Sequence, residues 1–262
     1  PGLEKHIKPY FGGRDFTGLP RGVYVIDFYE VPIEELQSKY PDAYQYLLNT
    51  AKPERDKNKN KIFREKWWVI GHPRQDFRSF SKDIDRYIVT VETMKHRVFG
   101  FVHSGVNPDS TLVTFGLQEN VSLGILSSRI HCSWALASGG RLGVGNDPRY
   151  NKTRCFETFP FPDIATADKF SGPTNNSGKG KGSTTADEHL IERIGRAAED
   201  IDNHRKRQQA AHNRLTLTGM YNVLEKLREE EPLNVKEKQI HEWGLVSVLR
   251  ELHDELDRAV FD

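Results

Sequence analysis

The chain has 262 residues, of which 36% are hydrophobic and 29% charged, with 38 Lys+Arg against 37 Asp+Glu. A chain of this length can hold one large domain or two smaller ones and bury a real core. No apolar run approaches bilayer length and the first residues do not resemble a signal peptide, which speaks against a helical membrane protein.

Near-neutral net charge hides an asymmetry. Residues 1–162 carry 23 Lys+Arg against 18 Asp+Glu, whereas residues 163–262 carry 15 against 19. A polyanionic partner is therefore expected at the first part. Cys132 and Cys155 form neither a metal-ligand pattern nor a disulfide framework, so a reduced, cytoplasmic setting is expected. The start at Pro1, without methionine, suggests a piece of a longer polypeptide.

In chain order, Ile7 to Asp27 reads as irregular chain with turns at Gly12-Gly13 and Gly18 to Gly22, leading into a short strand at Val23 to Phe28. Val31 to Leu36 opens a helix with proline near its start and acidic residues in the first turn. A second helix follows Pro41. Lys52 to Lys66 holds seven Lys+Arg against three Asp+Glu. That window is either a phosphate-tracking patch or a solvated loop, followed by a core strand at Trp67 to Gly71 with at least one buried tryptophan. Arg86 to Thr93, Val98 to Val102 and Ser110 to Phe115 read as strands. The Lys95-His96-Arg97 connection between the first two either faces DNA or is a charged turn. Val121 to Ile130 has helical apolar spacing, which Trp134 to Leu136 extend, and His131 reads as a packed histidine.

Gly139 to Pro162 concentrates the candidate chemistry. Gly139, Gly140, Gly143 and Gly145 predict a flexible loop. Arg141, Arg149, Lys152 and Arg154 are interleaved with Asn146, Tyr150 and Asn151. Guanidinium and amide groups hydrogen-bond base edges and phosphates. The same composition also describes a mobile surface loop with solvated charges. A phosphate-cradling nucleotide loop is disfavoured, because no Gly-Lys-Ser/Thr closes the glycine run. Arg141, Asn146, Arg149, Asn151, Lys152 and Arg154, with Lys95 and Arg97, are the candidate DNA-binding residues. Arg149, beyond the stiff Pro148, is expected nearer the bases, and Arg141, among glycines, nearer phosphate.

Beyond Pro162, Ser171 to Thr185 has linker composition. A helix with Leu190, Ile191, Ile194, Ala197, Ala198 and Ile201 on one stripe follows, with Asp187 as its cap and His204 to Arg207 as its basic end. Met220 to Glu231 reads as a second helix. A third starts at Asn234 and keeps one apolar face from Trp243 to Val260.

Ile7-Lys8-Pro9-Tyr10-Phe11-Gly12-Gly13-Arg14-Asp15, Arg86 to Thr90, Ser127 to His131, Arg141 to Pro162 and the final helices together resemble bacterial adenine-specific DNA methyltransferases. The relatives meant are the large, single-chain restriction-modification type, and the resemblance covers nearly the whole chain. It implies an α+β protein: a mixed, β-rich target-recognition domain over residues 1–162, a flexible linker over 163–186 and a helical domain over 187–262. It also implies double-stranded DNA as partner, a catalytic domain on the same polypeptide, and S-adenosylmethionine as cofactor of the parent enzyme.

The catalytic motifs of that family are missing. Asn107-Pro108-Asp109 and Asp147-Pro148-Arg149 lack the Pro-Pro-aromatic loop that holds a flipped adenine. Gly12-Gly13 does not follow an apolar strand, as a cofactor turn would. Glu92-Thr93-Met94-Lys95 is one residue too long for a nuclease Glu-x-Lys pair. No catalytic residue, metal or cofactor is therefore assigned to this chain. Two alternatives stay open: a non-catalytic α+β protein-interaction module, and a separate DNA specificity subunit acting with catalytic subunits in trans.

Overall fold

A computed structural model describes residues 2–142, 147–162 and 185–262. Of the expected linker over 163–186, residues 163–184 lie outside the described residues, and 185 and 186 belong to the helix that begins at Thr185. Strand β1 (Ile7–Phe11) pairs antiparallel with β2 (Tyr24–Ile26) and, at Tyr10 and Phe11 only, parallel with β5 (Asn107–Pro108). The irregular opening expected from the sequence is thus a strand followed by a short helix, α1 (Gly13–Thr17). Pro9 obscures this strand, because proline cannot donate to a ladder. Here it faces Tyr24, outside the β1–β5 pairing.

The second sheet has the order β4-β3-β6, with β3 (Arg86–Val91) between β4 (Gly100–His103) and β6 (Leu112–Phe115), both antiparallel to it. Successive side chains of a strand point to opposite faces, and β3 serves a different cluster on each. Tyr87, Val89 and Val91 pack with Phe77, Val102 and Leu112, whereas Ile88 packs with Phe99, Phe115, Leu123 and Leu126. All three strands expected between residues 86 and 115 are present.

Helices α2 (Ile33–Lys39) and α3 (Pro41–Thr50) form where expected. The basic window is two short helices, α4 (Lys52–Asp56) and α5 (Lys61–Glu65), in which Lys52 pairs with Asp56 and Lys61 with Glu65. Trp67 to Gly71 is not a strand. Trp67 is buried against Leu36, Ala43 and Leu47, while Trp68 donates its indole N–H to the Val31 carbonyl at 2.9 Å. A further short helix, α6 (Gln75–Phe80), precedes β3.

The apolar run after residue 120 splits into α7 (Asn120–Ser127) and α8 (Arg129–Ser138). Ser128 is extended at the break, and its hydroxyl caps α8 by accepting from the His131 N–H. Such hydroxyl caps satisfy donors that a helix start leaves unpaired.

Among the described residues four helices follow: α9 (Thr185–Ala211), α10 (Leu217–Arg228), α11 (Val235–Gly244) and α12 (Val246–Phe261). Two expectations are corrected here. His204 to Arg207 do not end α9, which continues to Ala211. The third helix is interrupted at Leu245, whose φ of 43° is left-handed. Asn234 begins α11 with a reciprocal cap: its side chain accepts from the Glu237 N–H, and Glu237 accepts from the Asn234 N–H.

These helices dock on the sheet-bearing part. Val98, Ile125 and Phe159 share one apolar cluster with Ile194, Ile201, Met220, Leu249 and Leu256. Helix α9 crosses α7 at Gly124, where a Cβ would stand 2.6 Å from Ile194 Cγ2, so only glycine allows this approach. A buried polar network adds direction. Arg205, 2% exposed, donates to the Phe99 carbonyl at 2.8 Å and to the Tyr221 hydroxyl at 3.1 Å, and stands 3.2 Å from Asp202. Burial alone would lower the Arg205 guanidinium, but Tyr221 and Asp202 more than offset it and hold it above its ordinary value. The Tyr221 hydroxyl is in turn hydrogen-bonded to His253 Nε2 at 2.8 Å. The α+β class stands, with helices interleaved among short strands in the first part and exclusively helical structure after residue 185 among the described residues.

Candidate nucleic-acid interface

The glycine-rich stretch builds a hairpin. Strand β7 (Gly140–Leu142) pairs antiparallel with β8 (Asp147–Arg149), with Arg141 opposite Pro148. Its tip, residues 143–146, lies outside the described residues, and the candidate Asn146 with it. Gly139 enters the hairpin where a Cβ would sit 2.6 Å from both the Ala135 and the Arg149 carbonyl oxygens. That close approach is one reason for the glycines.

The hairpin is seated on the chain that continues β3. Thr93 bridges Arg149, the Met94 N–H donates to the Pro148 carbonyl at 3.2 Å, and the Tyr150 N–H donates to the Glu92 carbonyl at 2.7 Å. Arg97 reinforces this seat from within. Its guanidinium donates to the Pro148 carbonyl at 3.1 Å, to Thr90 Oγ1 at 3.1 Å and to the Val91 carbonyl, and lies over the Tyr150 ring. Burial lowers its pKa from the ordinary guanidinium value.

Below the hairpin, Tyr150 is 1% exposed and His131 fully buried. His131 Nδ1 lies 2.8 Å from the Leu126 carbonyl, an acceptor, so the proton is assigned to Nδ1 and Nε2 accepts from the Tyr150 hydroxyl at 3.1 Å. Burial holds His131 down to about 4. The packed-histidine reading is the one the geometry supports.

The other candidates divide by what their side chains already do. Arg149 is clamped by Glu92, with Nε 2.7 Å and Nη2 2.6 Å from Glu92 Oε1. Asn151 accepts from the Gly140 N–H at 3.2 Å, which ties the start of the hairpin to the chain beyond it. Lys152 and Arg154 are exposed on the single turn Lys152–Phe156, and Arg141 is exposed on β7. Lys152 lies within electrostatic reach of Asp76 at the start of α6. Burial raises the Asp76 carboxyl, but the Arg74 hydrogen bond and the charges of Arg74 and Lys152 bring it below its ordinary value.

Lys95 points elsewhere. Its ammonium is 2.5 Å from Glu225 Oε2 on α10, and neighbouring His96 Nε2 is 2.7 Å from Asn222 Oδ1 on the same helix. The β3–β4 connection therefore packs against the helical region. Between them runs a cleft of ≈ 570 Å³ bordered by Gly13, Arg14, Glu92, Lys95, Leu142 and Asp147. Two participants were not singled out as binding residues from the sequence. Arg14 is an exposed arginine at the cleft, and in the sequence Glu92 stands out only within the nuclease-like Glu92-Thr93-Met94-Lys95 run. Glu92 carries no local signal, because it acts through Arg149, far away in the chain. Among the described residues no group of His, Cys, Asp and Glu is arranged to hold a metal ion.

The described residues form an α+β body in which a basic hairpin is firmly seated and a helical bundle docks. The fold resembles that of the Type IIL restriction-modification enzyme MmeI, solved in complex with DNA, with a TM-score of 0.61. The likeness covers 98% of this chain and 28% of that one at 20% identity, so it is a likeness of fold. DNA methyltransferase A of Bacillus subtilis (strain 168) is 26% identical over 178 residues, which are 64% of this chain and 19% of that protein. The chain thus spans less than a third of either relative. The family model for the MmeI target recognition domain matches residues 1–163, and the chain belongs to that family.

Proposed function

We infer that this chain selects the DNA sequence on which an S-adenosylmethionine-dependent, adenine-specific methyltransferase of a bacterial restriction-modification system acts. Residues 1–162 make the DNA contacts, and the helices from 187 onward brace them. The catalytic domain, its cofactor and the flipped adenine belong to another part of the same polypeptide. The observation that carries this reading is the family match over residues 1–163, the segment that holds the hairpin and its seat.

The physical division of labour follows from the side chains. Exposed Arg141, Lys152 and Arg154 suit phosphates, where a cation gains affinity by releasing counterions. A side chain with a fixed edge, such as Arg149, suits a base pair in the major groove. Arg97 and Asn151 hold the hairpin in place, and Lys95 holds the β3–β4 connection to α10.

The test is fluorescence anisotropy of a labelled duplex with the chain over a salt series. Affinity is expected to fall linearly on a log–log plot as salt rises. Binding that does not respond to salt, or none at low salt, counts against DNA as the partner.

A further inference from the structure

We propose that Glu92 is a specificity-positioning residue, which orients the Arg149 guanidinium so that its outer edge reads a guanine. The proposal rests on the DNA-recognition reading above and adds to it a residue that touches no DNA itself.

The geometry of the pair is asymmetric. Both Nε and Nη2 of Arg149 converge on a single carboxylate oxygen, Glu92 Oε1, at 2.7 and 2.6 Å. That occupies the side edge of the guanidinium. The end-on fork of Nη1 and Nη2 keeps its outward N–H groups, and the Arg149 side chain is 40% exposed. A planar fork of this kind matches the N7 and O6 acceptors of guanine.

Glu92 is well placed to fix that edge. Its own N–H donates to the Thr111 carbonyl at 2.8 Å, and its carbonyl accepts from the Tyr150 N–H at 2.7 Å. Arg149 is bridged to Thr93 on the next residue. The backbone of both partners is therefore set by the same β ladder, and the carboxylate removes the remaining side-chain freedom.

Charge decides between a phosphate role and a base role for Arg149. A Glu–Arg pair is close to neutral, so it releases few counterions and repels phosphate through its carboxylate. An oriented, neutralised guanidinium loses little by this at a base edge, where hydrogen-bond geometry selects. Lys152 and Arg154 are exposed, and Lys152, within electrostatic reach of Asp76, is held in no clamp like that of Arg149 among the described residues.

The experiment uses the full-length protein, catalytic region included. Methylated-site sequencing defines the motif, and anisotropy then compares the cognate duplex with duplexes changed at one base pair. Arg149→Ala is expected to lose about 5- to 160-fold discrimination at one guanine, the fold equivalent of a bidentate base contact. Glu92→Ala should lose discrimination at that same position and no other. It should also bind non-cognate DNA more tightly, with a salt slope steeper by about one, because it frees a cation. A merely structural anchor would not raise any affinity. Glu92→Gln keeps an acceptor in place, so it should retain the discrimination while still raising non-cognate binding. The double variant should resemble Arg149→Ala.

Glu92→Ala with unchanged discrimination beside an impaired Arg149→Ala overturns the proposal and leaves DNA recognition standing. Uniform weakening on all duplexes also overturns it. No effect of Arg149→Ala at any position overturns both the proposal and the base-reading role of the hairpin. If Glu92→Ala does not fold, Glu92→Asp, one methylene shorter, loosens the contact but keeps the charge: it should lose discrimination at that same position without steepening the salt slope, and unchanged discrimination beside an impaired Arg149→Ala overturns the proposal.

Discussion

Replacing Arg205 by alanine tests how the helical region is joined to the sheet. The guanidinium is 2% exposed and engages the Phe99 carbonyl, the Tyr221 hydroxyl and Asp202. Truncation leaves that carbonyl without its donor and removes one of two cations from buried Asp202. Breaking a buried pair by removing one partner costs ~3–5 kcal/mol. Lys206, 2.6 Å from Asp202, still compensates the carboxylate, so the lower end, about 3 kcal/mol, is expected. For a chain of this size that corresponds to a fall in Tm of roughly 6–12 °C. Urea unfolding followed by far-ultraviolet circular dichroism and by tryptophan fluorescence gives the number. The control is Lys39→Ala, which removes an exposed pair with Glu35 and should leave the urea midpoint nearly unchanged. If Arg205→Ala is no worse than this control, the buried network does not hold the two parts together.

Three further outcomes follow from particular contacts. Gly124→Val places new methyl groups against Ile194 and Leu256 and should destabilise by ~1–3 kcal/mol through overpacking, read as a lower urea midpoint. Burial lowers His131 to about 4 and His253 to about 3, so both are neutral in the fold where the unfolded chain, with imidazoles near ~6.5, already takes up protons. Stability should therefore be full above pH ~6.5 and decline as pH falls toward 4, by up to about 2.7 kcal/mol per pH unit, and His131→Gln should flatten the decline. Arg141→Ala should weaken binding to all duplexes alike and reduce the salt slope by about one, as measured by anisotropy.

The strands from Arg86 to Phe115 and the helices after Val31, Pro41 and Asn234 were legible because each signal is local: alternation, a proline at a helix start, a cap. The break at Leu245 was not. The apolar stripe from Trp243 to Val260 continues across it, and one left-handed residue leaves no trace in that pattern. Arg205 looked like part of a basic helix end because its partners, Phe99 and Tyr221, are far away in sequence. The same holds at the candidate interface. The basic residues of the hairpin were visible, but Arg149 and Glu92 lie 57 residues apart and meet only because the hairpin sits on the continuation of β3. Arg97 was recognised as a charge, while its interior role depends on the carbonyls that surround it.

Hydrogen–deuterium exchange of the full-length protein with and without a cognate duplex tests DNA reading by the hairpin most directly. Peptides covering Gly139 to Glu157 should exchange more slowly with DNA, and α11, which carries none of the candidate residues, should be unchanged. Slowed exchange confined to other segments, with Gly139 to Glu157 unaffected, would contradict the account.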